Sequence, residues 1–192
     1  MESLRERKRE QNRAATVEAA WRLFIERGYD HVTVHDICAA ADIAPRTFHR
    51  YFASKDDVVA EPVRRMTAIA FERIAAAPPD APDAEVMRRA LLAVGRFVVD
   101  NRELLTGLRT VALQSSHLRA TYPGVRPDQE ADLAAELATR GGGAPLQWRR
   151  RLLVACSVAA FRVWYEDYFR DDLPDPLAHL EQILDAAVNP PR

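Results

Sequence analysis

Between Pro45 and Tyr51 the sequence places Arg46, Thr47, His49 and Arg50, four side chains that donate hydrogen bonds. Arg46 and Arg50 stand four residues apart, so on a helix they lie along one face. A guanidinium can pair bidentately with a guanine edge in the major groove, and threonine and histidine can reach phosphate or base. Thr33 and Lys55 fall where flanking helices should start. Free backbone N–H groups and a positive dipole end favour phosphate at such places. An isolated polar helix is most simply a solvated face. What decides the matter is whether the neighbouring elements present this one for reading.

The surrounding pattern supplies those elements. Val17, Ala20, Trp21, Phe24 and Ile25 repeat at helical spacing, which predicts a first helix from about Leu4 to Arg27, with Gly28 at its stop. Thr33 and Asp36 form a capping-box pair opening a second helix, in which Val34, Ile37, Cys38 and Ala41 recur. Asp42-Ile43 interrupts that helix after two turns or so. Pro45 suits the first position of a third, where its missing N–H is not needed. Phe48 and Phe52 then face inward, one turn apart. Ser54 with Asp57 reads as a second capping box, opening a fourth helix to about Ala76. Pro62 lies inside it, so a kink or break is expected near Ala60–Pro62.

Residues 78–83 read as a proline-rich linker. Beyond it, helices are expected at 83–100, 102–119, 126–140, 145–171 and 175–188, with Gly141–Gly143 as a flexible loop. There is no internal repeat and no alternating stretch long enough for a sheet. The fold class expected is all-α: an N-terminal three-helix helix-turn-helix head, residues 1–53, on a larger helical body, residues 54–192.

Composition bounds the function. With 48% hydrophobic residues in 192, a sizeable core forms without disulfides or metal. Cys38 and Cys156 each sit in an apolar helical pattern and read as reduced, buried side chains. The N-terminus is charged, without the apolar core of a signal peptide. The longest apolar run, Leu152 to Phe161, is too short to span a bilayer. A soluble, cytoplasmic protein with no membrane partner is expected. The net charge of −1 favours no partner, but Arg5, Arg7, Lys8, Arg9 and Arg13 crowd the start. That arm reads as a reach to phosphate or minor groove, or as a frayed solvated end. There is no Gly-rich phosphate loop, no metal-spaced Cys/His cluster and no nucleophile elbow, so no catalytic residue, cofactor or metal is expected. Glu166, Asp167, Asp171 and Asp172 read as a solvated acidic face.

The run from Thr33 to Lys55, TVHDICAAADIAPRTFHRYFASK, resembles the DNA-binding signature of the TetR family of bacterial regulators. Ala20 to Tyr29, AWRLFIERGY, resembles that family's first helix. The resemblance covers about the first third of the chain. It implies a homodimeric regulator, usually a repressor, whose two heads read half-sites of a near-palindromic operator in double-stranded DNA. It also implies that Thr33 and Lys55 contact phosphates, that Arg46 and Thr47 lie on the recognition helix, and that Tyr51 ends it near the DNA backbone. His49 departs from the pattern, where tyrosine is commoner, so imidazole replaces a phenolic phosphate contact or the contact is lost. Arg46 stands where many members carry a small residue.

In the body, Leu152 to Val163 is apolar nearly all round, which calls for burial on more than one side. Helices 145–171 and 175–188 are therefore expected to form a four-helix dimer interface across a two-fold axis. Phe97, Leu104, Leu108, Arg109, Trp164 and Tyr168 are the candidates for lining a cavity for a small hydrophobic ligand, with Arg109 or His117 as polar anchors. Close-packed core is the plainer reading of each. Through Pro45-Arg46-Thr47-Phe48 the chain also resembles the actinobacterial branch with acyl-CoA-like ligands. The expected mechanism is ligand-driven tilting of the fourth helix, hinged near Pro62, which changes the spacing of the recognition helices. The competing readings are an architectural DNA-binding protein without ligand response, and an α-helical enzyme.

Overall fold

The computed structural model of the protein describes residues 4–121, 127–140 and 147–188. Every regular element among them is helical. The order is α1 (Leu4–Arg27), a 3₁₀ turn (Tyr29–His31), α2 (Val34–Ala40), α3 (Pro45–Tyr51), α4 (Lys55–Val59), α5 (Glu61–Ala75), α6 (Asp83–Asp100), α7 (Arg102–Gln114), α8 (Ser116–Thr121), α9 (Pro127–Arg140), α10 (Trp148–Arg170) and α11 (Pro176–Val188). The all-α expectation holds. The Gly141–Gly143 loop, and the expected helix starts at 126 and 145, lie outside the described residues.

Local chemistry sets the boundaries. Gly28 ends α1 at φ 80°, a left-handed value that glycine adopts without steric cost. Thr33 opens α2 with a complete capping box: its hydroxyl accepts from the Asp36 N–H, and its own N–H donates to the Asp36 carboxylate. α2 stops at Asp42, the one non-glycine residue at positive φ (51°) among those described. Ile43 N–H there reaches the Cys38 carbonyl at 3.0 Å and Asp42 N–H the Ala39 carbonyl at 3.4 Å, which is a Schellman closure. Aspartate tolerates this conformation better than most side chains. Pro45 sits in the first turn of α3, as expected.

Two expectations change in detail. Ser54 contributes no side-chain cap. The Asp57 carboxylate alone acts, accepting the Ala53 N–H at 2.8 Å. The helix expected over 102–119 is broken after Gln114, because the buried Ser115 hydroxyl turns the chain by accepting the Leu118 N–H. The break expected at Ala60–Pro62 is present, with α4 ending at Val59 and α5 starting at Glu61.

The chain divides into two compact units, Met1–Arg64 with Glu103–Tyr122 and Arg65–Arg102 with Pro123–Arg192. The first therefore takes in α4, α7 and α8 beyond the expected residues 1–53. The reason is burial: Val58 and Val59 of α4, Val111 of α7 and Leu118 of α8 join Trp21, Phe24, Ile37, Phe48 and Phe52 in one core. In the second unit α10 packs on α6, α9 and α11. Trp164 and Tyr168 stack there, ring centroids 5.4 Å apart, and the Trp164 indole N–H donates to the Pro176 carbonyl at 2.6 Å.

Candidate nucleic-acid interface

α3 is held by its apolar side. Phe48 and Phe52 are fully buried with centroids 5.5 Å apart. This anchoring leaves Pro45, Arg46, His49 and Arg50 exposed and Thr47 and Tyr51 half-buried. The Arg50 guanidinium carbon lies 5.0 Å from the Tyr51 ring centroid, and Nη2 donates to the Tyr51 hydroxyl at 3.1 Å. One of its five N–H donors is so engaged, which orients the fork and leaves the others for a ligand.

The structure gives three further residues specific occupations. The Thr33 hydroxyl is committed to Asp36, at 2.5 Å from Oδ2. That hydrogen bond and the Thr33 N–H hold the Asp36 carboxyl below its ordinary value. Lys55 turns back into the unit, where Nζ donates to the carbonyls of Tyr29 at 2.9 Å and Val32 at 3.0 Å. Burial pushes its ammonium below the ordinary lysine value, against the opposing charge of Asp30. Of the basic N-terminal residues, Arg13 folds back: Nη2 is 2.5 Å from Glu61 Oε2, and the guanidinium lies 5.3 Å from the Phe52 ring. Burial alone would lower its pKa, but Glu61 and Glu10 raise it. Arg7, Lys8 and Arg9 stay exposed.

Sequence reasoning gave His117 only the part of a ligand anchor. In the structure its Nε2 lies 2.8 Å from Asp56 Oδ2, and its ring stacks on Tyr29 at 6.0 Å and 6°. The Tyr29 hydroxyl donates to the other oxygen of the same carboxylate. Ser115 Oγ donates to Asp30 Oδ1 at 3.1 Å. These partners are 27 to 85 residues apart in sequence, beyond the range of any periodic signal.

The six residues expected to line a ligand cavity are divided between the two units, three in each. Leu104 and Leu108 pack on the core of the first unit. Phe97, Trp164 and Tyr168 belong to the second, where Arg102 lies over the Tyr168 ring at 4.8 Å. Arg109 is half-buried on α7. Three grooves of the second unit, of about 230, 490 and 380 Å³, are lined by other residues. No group of three or more His, Cys, Asp or Glu that could hold a metal occurs among the described residues, and no described helix is long and apolar enough to cross a membrane.

Two short helices around a tight turn, the second apolar within and cationic without, define a helix-turn-helix DNA-binding protein. Comparison with known proteins extends this. Residues 17–61 match the family described as bacterial regulatory proteins, tetR family. The chain is 31% identical over 173 residues to the HTH-type transcriptional regulator TcmR of Streptomyces glaucescens, covering 84% of this chain and 76% of that protein. It is 30% identical over 132 residues to the HTH-type transcriptional repressor Rv3405c of Mycobacterium tuberculosis, covering 68% and 67%. Among solved structures, a TetR transcriptional regulator from Nitrosomonas europaea superposes with a TM-score of 0.61 at 16% identity, over 92% of this chain and 95% of that one. The fatty acid degradation regulator FadR from Bacillus halodurans does so at 0.59 and 18%, over 94% and 96%. The protein belongs to the TetR family of transcriptional regulators.

Proposed function

We propose that the protein is a cytoplasmic repressor without enzymatic activity, which binds a near-palindromic operator as a homodimer and is released by a small hydrophobic ligand, acyl-CoA-like in class. The observation that carries the DNA-binding part is the two-sidedness of α3. Phe48 and Phe52 fix it to the core, while Arg46, His49 and Arg50 stand exposed with Thr47 and Pro45 beside them. Arg46 and Arg50 read base edges. Thr47 and His49 reach base or phosphate, and Thr33, Tyr51 and Lys55 add contacts or charge at the phosphates. The repressor direction follows that of the similar Rv3405c, a transcriptional repressor.

Dimerisation is supported by α10, where Trp148, Leu152 and Val163 are 66%, 54% and 50% exposed and α11 packs alongside. Apolar side chains of this size along one exposed helix are a surface that association covers. A two-fold dimer sets the two α3 helices for half-sites about 34–36 Å apart. Phe97, Leu104, Leu108, Arg109, Trp164 and Tyr168 remain the residues proposed to line the ligand's cavity.

The test is a binding assay at fixed salt on the DNA flanking the protein's own gene. Arg46→Ala and Arg50→Ala should each weaken binding by about 1–3 kcal/mol and relax sequence preference. Binding unaffected by both substitutions overturns the assignment of α3 as the reading element. Light scattering at micromolar protein reads the dimer, and a monomer there counts against it.

A further inference from the structure

We propose that His117 is a positioning residue for operator binding, and that protonating it closes a latch on the helix-turn-helix, so that the operator is held more tightly at low pH. The proposal rests on the DNA-binding reading above. His117 stands on α8, and its neighbours Ser115 and Leu118 are buried in the first unit, so the segment is fixed on both sides of it. Its Nε2 faces Asp56 Oδ2 at 2.8 Å. Asp56 lies in the first turn of α4, four residues after Phe52, the last core anchor of α3. The other carboxylate oxygen takes the Tyr29 hydroxyl, and Tyr29 lies in the turn that precedes α2. Lys55, next to Asp56, ties down the carbonyls of that same turn.

The segments entering and leaving the helix-turn-helix are therefore bridged by Asp56, Tyr29 and Lys55, and His117 closes the bridge from a third element. The charged groups near it include Asp56 and Lys55 of α4 and Asp30 of the turn. Asp30 is held by Ser115, and Lys55 stands over the ring on which His117 stacks. Histidine is the side chain that changes charge between about pH 5 and 8. The His117 side chain is 52% exposed, so solvent protons reach it. Its cationic form adds an ion pair to the hydrogen bond with the Asp56 carboxylate, whereas the neutral form makes the hydrogen bond alone. A fixed α4 leaves less conformational freedom to be lost when α3 enters the groove, so the closed latch favours binding.

The experiment measures operator affinity of the full chain at about pH 6 and about pH 8 at constant salt, for wild type and His117→Gln. His31, His35 and His49 are exposed on the same unit and are present in both proteins, so the comparison between the two isolates His117. The wild-type ratio of affinities between the two pH values should exceed that of the variant by about two- to fivefold, the range of one exposed ion pair. Asp56→Asn should flatten the profile in the same way. His117→Arg, cationic at both pH values, should keep the tighter binding at the higher one. Equal ratios in wild type, His117→Gln and Asp56→Asn overturn the latch while leaving DNA binding intact. Absence of wild-type binding to the flanking DNA at either pH overturns the DNA-binding reading itself, and the latch with it.

Discussion

Lys55 and Tyr29 form a closed contact: the ammonium stands 4.0 Å from the ring centroid and donates to the carbonyl of the same tyrosine at 2.9 Å. A lysine turned inward in this way holds structure as well as charge. Lys55→Met keeps the aliphatic stem but leaves the carbonyls of Tyr29 and Val32 without this donor. The expected loss is about 1–2 kcal/mol of unfolding free energy, from hydrogen bonds and the cation–π contact together. Arg46→Ala, by contrast, should weaken DNA binding and leave the urea midpoint in place, because Arg46 is exposed. A Lys55→Met protein with wild-type stability and weaker DNA binding would show that the side chain serves phosphate alone.

Asp83 bridges two arginines at once. Arg140 Nη2 is 2.8 Å from one carboxylate oxygen, and Arg150 Nε is 2.8 Å from the other. The Arg140 side chain is only 5% exposed, and it also donates to the carbonyls of Pro78 and Ala81. One carboxylate thus joins the linker after α5, the start of α6, the end of α9 and the start of α10. Removing one partner of a buried ionic group leaves a desolvated charge behind, which costs about 3–5 kcal/mol. Asp83→Ala should lower the urea midpoint accordingly. A loss below about 1 kcal/mol would mean that water reaches the guanidinium groups more freely than their burial suggests.

How much of this was legible in the sequence depends on the range of each interaction. The limits of α1, the capping box at Thr33, the stop at Gly28 and the break before Pro62 all arise from residues within one or two turns of each other. Periodicity and caps report those directly. The inward faces of Phe48 and Phe52, and hence the outward face of Arg46, His49 and Arg50, follow from the same spacing. What escaped were contacts between distant segments. Lys55 turning to the carbonyls of Tyr29 and Val32, Arg13 folding onto Glu61, and His117 meeting Asp56 join residues 23 to 61 apart. Each side chain is long or polar enough to read as solvated until its partner is known. The break at Ser115 escaped for the same reason, since that hydroxyl serves both the Leu118 N–H and a carboxylate 85 residues away.

Acid should loosen the first unit. Burial alone would raise the Asp57 carboxyl, but the Ala53 N–H and the Arg64 guanidinium outweigh it and hold the group below the ordinary 3.8. Asp36 is held below it too, by the Thr33 hydroxyl and N–H. A carboxyl with a depressed folded pKa contributes stability that is fully present above its unfolded value and is lost as pH falls through the folded one. Thermal midpoints should therefore drop as pH is taken from about 5 to below about 4. Asp57→Asn should drop less over that interval while starting lower. A variant that loses as much as wild type would exclude Asp57 from the acid transition.

Two helix glycines meet their neighbours at similar distances, yet should respond to substitution in opposite ways. A Cβ at Gly95 would lie 2.5 Å from Leu180 Cδ2, and one at Gly107 would lie 2.4 Å from Ile25 Cδ1. Leu180 is fully buried between α11 and α6 and has nowhere to move. Ile25 is 53% exposed and can swing into solvent. Alanine in a helix interior is favoured over glycine by about 1 kcal/mol. At Gly95 overpacking of about 1–3 kcal/mol outweighs that gain, and Gly95→Ala should destabilise the protein. At Gly107 the isoleucine yields, and Gly107→Ala should be neutral or stabilising by up to about 1 kcal/mol. Urea unfolding of the two single variants checks both. A destabilised Gly107→Ala protein would show that Ile25 is held in place despite its exposure, and that α7 meets α1 through a contact as exacting as the one between α6 and α11.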